Sequence, residues 1–220
     1  MHKTVQNLIS IQSSIKSKLI DFEDKSRIPK IIAVSKTFKL DQILPLINHG
    51  HIDYGENKVQ EAIEKWSNIK IKNNNIRLHL VGKLQTNKVK LALKLFDFIH
   101  SLDSEKLAKK IAEEQVKQNL KPKIFIQINI GNEPQKSGII KENLNDFYNF
   151  SKKLGLDIIG TMCIPPLKED VSKYFSEMYK LNQKLKLKEI SMGMSSDYLN
   201  AAQFKSTYLR IGSSIFGQRN

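Results

Sequence analysis

Apolar positions along the chain follow two alternating rhythms. Short runs of consecutive apolar residues alternate with longer stretches in which apolar residues return every three or four positions. The first long stretch, Thr4 to Phe22, sets Leu8, Ile11, Ile15, Leu19 and Phe22 on one face and predicts an amphipathic helix. Ile31-Ile32-Ala33-Val34-Ser35 follows, apolar on both faces, as a strand buried in a parallel sheet would be. A helix is predicted over Leu40 to Asn48, then a weaker strand at His51 to Tyr54. Asn57 can cap the next helix, with Gln60 three residues on and Val59, Ala62, Ile63 and Trp66 along its buried face.

The alternation continues to the end of the chain. Strands are predicted at Leu78 to Val81, Phe98 to His100, Ile124 to Ile130, Leu156 to Thr161, Glu189 to Ser191 and Thr207 to Ile211. Between them lie helical stripes: Val89, Ala92, Leu93 and Phe96; Leu107, Ala108, Ile111, Ala112 and Val116, capped by Ser104; Leu144, Phe147, Ser151 and Leu154. Val171, Tyr174, Phe175, Met178 and Leu185 form another, and a short helix is predicted around Ser213 to Phe216. Strict alternation implies parallel strands joined by crossover helices. Eight such units are the number that closes a (β/α)8 barrel. A chain of 220 residues lies near the small end for that fold, so residues 1–220 are expected to form one α/β barrel domain. An open doubly wound sheet holding a nucleotide would need a Gly-rich first turn, and none follows Val34.

Composition narrows the function classes. The single cysteine, Cys163, excludes a disulfide framework and a cysteine zinc site. His49 and His51 do not suggest a metal, and no metal site is expected. There is no run long and apolar enough for a membrane span and no signal-peptide layout at Met1 to Gln6, so a cytoplasmic protein without membrane contact is expected. The formal charge is +14, from 36 Lys+Arg against 22 Asp+Glu. Only Arg27, Arg77, Arg210 and Arg219 are arginines, whereas nucleic-acid readers usually rely on that side chain. The lysine excess therefore reads as surface, Lys83, Lys88, Lys90 and Lys94 included, and nucleic acid is not an expected partner.

Candidate chemistry concentrates in three places. Lys36 follows the first strand and shares parity with Ile32 and Val34, so it points into the barrel at its C-terminal end, where barrel active sites are built. Ser191 to Asp197 follows the seventh strand, and Arg210-Ile211-Gly212-Ser213-Ser214 runs through the end of the eighth into a helix start. Barrel enzymes often bind phosphate with those two loops. A lysine amine for a carbonyl, together with phosphate loops, matches the shape of pyridoxal 5'-phosphate (PLP). His79, Met162 and Cys163 read as a satisfied polar group, a core residue and an inert buried thiol.

These loops sit among further motifs: Ala33-Val34-Ser35-Lys36-Thr37, Tyr54-Gly55-Glu56-Asn57-Lys58-Val59-Gln60-Glu61, His79-Leu80-Val81-Gly82-Lys83-Leu84-Gln85-Thr86-Asn87-Lys88, Gln127-Ile128-Asn129, Lys136-Ser137-Gly138 and Gly193-Met194-Ser195-Ser196-Asp197. Together the sequence resembles the YggS/PROSC family of pyridoxal phosphate homeostasis proteins. The resemblance implies a barrel like the N-terminal domain of alanine racemase. It implies that Lys36 forms the Schiff base with PLP, that Ser195, Gly212 and Ser213 hold the phosphate, that Arg210 faces the pyridine nitrogen, and that Asn57 lines the ring pocket. Ser213 stands where the family usually has Thr, and Lys205 where it usually has Gly. A cation at the ring nitrogen disfavours its protonation, which suits holding PLP without substantial catalysis. A low-activity PLP-dependent amino-acid racemase is the alternative. PLP-dependent apo-enzymes are expected partners, and the chain is expected to be a monomer or weak dimer.

Overall fold

The computed structural model describes residues 1–21, 28–167 and 169–218. Phe22, the expected last residue of the first helical stripe, lies outside them. The elements in order are α1 (Lys3–Asp21), β1 (Lys30–Val34), α2 (Leu40–Asn48), β2 (Asp53–Glu56), α3 (Val59–Lys72), β3 (Arg77–Leu80), α4 (Val89–Leu95), β4 (Phe98–Leu102) and α5 (Glu105–Gln118). They continue with β5 (Lys123–Ile128), α6 (Leu144–Lys153), β6 (Asp157–Cys163), α7 (Val171–Lys184), β7 (Glu189–Ser191), α8 (Tyr198–Gln203), β8 (Tyr208–Ile211) and α9 (Ser213–Phe216). Among the described residues the strands close a barrel in the order β1 to β8, every pair parallel, with β8 returning to β1. This is the expected (β/α)8 architecture.

Period-two alternation sorts the strand residues between two cores. Outward residues such as Ile31, Ala33, Tyr54, Leu78, Ile99 and Ile124 join the helix stripes in the large shell core. Inward residues Ile32, Val34, Phe98, Phe125, Met162 and Tyr208 form a separate cluster inside the barrel. Met162 is thus core, as expected. Flat rings fill the interior by stacking: His79 on Phe98 and His100 on Phe125, each with centroids 4.2 Å apart.

Several local expectations need correction, β4 running on to Leu102 and β6 to Cys163 among them. Strand β2 runs Asp53–Glu56 rather than ending at Tyr54, because Gly55 and Glu56 extend the ladder opposite Val34 and Leu80. Glu56 tolerates complete burial because Ser35 Oγ, Lys65 Nζ and Trp66 Nε1 all reach its Oε1, at 2.8, 3.0 and 2.9 Å. Asn57 does not cap α3: Lys58 holds the N-cap position and makes no side-chain cap hydrogen bond. Val116 is exposed, and Glu114, two positions earlier and so in line with Leu107 and Ile111, takes the buried position on α5. Ser104 does cap α5, accepting from Leu107 N–H.

The barrel interior also sets an acid limit on stability. His79 and His100 are fully buried, and burial lowers both below the ordinary histidine value. A lowered folded value means that the unfolded chain binds protons first. The contribution is complete above the unfolded value of about 6.5 and is lost as pH falls below it. Both histidines steepen the loss, each until the pH reaches its own lowered value in the folded protein. The urea midpoint at pH 5.5 is expected to lie well below that at pH 7.5. Equal midpoints would contradict neutral interior histidines.

Candidate cofactor site

A cavity of about 1010 Å3 opens at the C-terminal ends of the strands. Lys36, Asn57, Ser195, Arg210, Gly212 and Ser213 all line it. The structure therefore brings together every residue singled out for the site, from the ends of four strands, β1, β2, β7 and β8, at opposite ends of the chain.

Lys36 is half-buried and follows β1 with the parity of Ile32 and Val34. The residues on either side of it are pinned to α3. Ser35 donates its hydroxyl to Glu56 and accepts Lys65 Nζ at its carbonyl, 2.9 Å. Thr37 N–H donates to Glu61 at 2.6 Å. The strand end carrying the lysine is thus fixed by a carboxylate-rich anchor behind it.

The phosphate-loop expectation takes a definite shape. Ser195 Oγ accepts from the N–H groups of Gly212 and Ser214 at 3.3 and 3.2 Å, so the two loops meet. A Cβ at Gly212 would stand 3.3 Å from the Val34 carbonyl, which seats this turn against the strand that leads into Lys36. Gly193, at φ +90°, holds a backbone conformation that other residues rarely adopt, and a Cβ there would collide with Ala201. Ser213 itself is exposed at the rim.

Arg210 is buried beneath the cavity. Its Nη1 donates to Ser191 Oγ and its Nη2 to the Cys163 carbonyl, both at 2.8 Å. Burial lowers its pKa from the ordinary value. Cys163 contributes only that carbonyl; burial pushes its thiol up to about 12, so it is an inert buried residue as expected. Val81, Gly82, Gln127, Asn129, Lys136 and Ser137 also line the cavity, from motifs the sequence marked only as family resemblance. Lys83 was expected on a solvated face; it is exposed, but at the cavity wall. Among the described residues no group of three or more His, Cys, Asp or Glu side chains is placed to hold a metal ion. No helix among them is long and apolar enough to cross a membrane.

A family model described as alanine racemase, N-terminal domain, matches residues 13–220. The chain belongs to that family. Within it, the pyridoxal phosphate homeostasis protein of Aquifex aeolicus is 36% identical over 200 residues, covering 86% of this chain and 87% of that one. The protein of the same name from Pasteurella multocida is 34% identical over 226 residues, covering 98% and 97%. The solved structure of PipY from Synechococcus elongatus with PLP bound superposes with a TM-score of 0.79 at 30% identity, covering 92% of this chain and all of that one.

Proposed function

We propose that this protein binds PLP at the C-terminal face of the barrel and serves PLP homeostasis, holding the cofactor reversibly and passing it to apo-enzymes. The observation that carries the reading is the convergence of Lys36, Arg210 and the Ser195–Gly212–Ser214 cluster on one cavity. The close relatives named for PLP homeostasis and the PLP-bound PipY structure support it.

The residues present fit the group. Bound PLP would supply an aldehyde for a lysine amine and an electron-poor ring. Lys36 would hold the aldehyde end. The Ser195 hydroxyl, oriented by the Gly212 and Ser214 N–H groups that it accepts, would donate to the phosphate, with the Gly212 turn and Ser213 beside it. Arg210 would present its cation to the pyridine nitrogen and disfavour a second positive charge there. Asn57 would close the ring pocket beside Gly82, whose backbone packs against it.

Purified protein incubated with PLP is expected to retain it through gel filtration. Ser195→Ala removes a hydroxyl that the phosphate would meet, and a hydrogen bond to a charged group of that kind is worth about 1.5–3 kcal/mol. The dissociation constant should therefore rise at least about tenfold. A wild-type protein that emerges free of PLP would overturn the reading.

A further inference from the structure

Among the described residues Arg210 has no carboxylate at hydrogen-bond distance; its side chain donates to a hydroxyl and a carbonyl. The hydroxyl, however, is the first link of a buried series. Ser191 Oγ lies 2.9 Å from His100 Nδ1. His100 Nε2 lies 3.0 Å from His79 Nδ1. His79 Nε2 lies 2.9 Å from Asp53 Oδ1, and Asp53 Oδ2 is ion-paired with Arg77. Asp53, His79, His100, Ser191 and Arg210 are all buried. The series crosses the barrel interior from the first residue of β2 to the cavity floor.

With both imidazoles neutral, the carboxylate end fixes the direction of every link. A guanidinium can only donate and a carboxylate can only accept. Asp53 accepts, so His79 carries its proton on Nε2 and accepts at Nδ1. His100 must then donate from Nε2 and accept at Nδ1. Ser191 therefore donates to His100, which leaves its lone pair for Arg210. Arg210 donates into a free lone pair of Ser191 Oγ, so this proton order satisfies all five groups with both imidazoles neutral. Stacking on Phe98 and Phe125 holds both rings in the plane this order needs.

We propose that Ser191, His100 and His79 are positioning residues, an ordered donor chain that ties Arg210 to the Asp53 carboxylate and so fixes the guanidinium under the cofactor's ring nitrogen. This rests on the PLP reading of the site. Aligned donors polarise one another, so the distant carboxylate compensates the buried cation without standing where a ligand must sit. The other charged or titratable groups near the chain are Arg77, Asp97 and His51 at its base, Tyr208 against both imidazoles with Lys30 on it, Lys123 over the Phe98 ring, and Cys163 and Asp197 near Arg210.

Two measurements test the chain. In the protein without cofactor, nitrogen-15 NMR of the histidine rings at neutral pH should show His79 and His100 both neutral with the proton on Nε2. A cationic ring, or a proton on Nδ1 of either, would overturn the proposal whether or not PLP binds. In the loaded protein, His100→Phe keeps a stacking ring but cuts the chain. It should still be labelled at Lys36 after borohydride reduction, while PLP binds about tenfold more weakly and the pH midpoint of its visible band moves by about one unit. Wild-type affinity and midpoint in a folded His100→Phe protein would show that the chain only fills the barrel.

Discussion

Replacing Lys36 with Ala abolishes covalent retention of PLP: after borohydride reduction, label on the protein falls to background. The expectation follows from placement. Lys36 shares its face with Ile32 and Val34 of the interior cluster and is the amine that β1 delivers into the cavity. The strand end is held from behind by Ser35, Glu56, Lys65 and Glu61, so a neighbouring lysine cannot readily take over the position. The side chain is half-buried at the cavity wall rather than in either core, so the variant should remain folded. Weaker, reversible binding through Ser195, Gly212 and Arg210 should survive. The check is reduced-protein mass together with an unfolding curve; a Lys36→Ala protein labelled as fully as wild type would contradict the assignment.

Trp66→Ala should cost about 3–5 kcal/mol of stability, a large share of the roughly 5–15 kcal/mol that holds a typical protein folded. Trp66 is fully buried between α3 and the sheet, packs on Tyr54 with centroids 4.7 Å apart, and donates its indole N–H to Glu56. The substitution therefore opens a cavity and removes one of the donors on a buried carboxylate whose Oε2 has no hydrogen-bond partner among the described residues. Because Glu56 also takes the Ser35 hydroxyl, the anchor behind Lys36 loosens with it. Urea unfolding measures the effect. A loss below about 1 kcal/mol would mean that this anchor is not a structural centre.

Much of this was legible in the sequence because it depends on local periodicity. The strand parity that put Lys36 inside the barrel needed only Ile32 and Val34. The meeting of the last two loops followed from the barrel expectation and from Gly and Ser at helix starts. Where a single side chain departed from the periodic stripe, the reading failed. Val116 looked like a stripe residue but is exposed, and Glu56 looked like a motif residue but is a buried strand residue. Asn57 has the chemistry of a cap, yet it follows β2 directly and lines the cavity instead. The Asp53–His79–His100–Ser191 series was not legible at all beyond His79 as a satisfied polar group. Its members sit singly on β2, β3, β4 and β7, and only closure of the barrel makes them neighbours. No spacing rule joins residues that far apart, although an inward polar residue on a buried strand is itself a signal that a partner must exist.

The central claim, that this barrel holds PLP on Lys36, is tested most directly by peptide mapping. The wild-type protein is incubated with PLP, reduced with borohydride, digested and analysed by mass spectrometry. The account predicts one pyridoxyl label, on Lys36. A label on another lysine, or none, would contradict it.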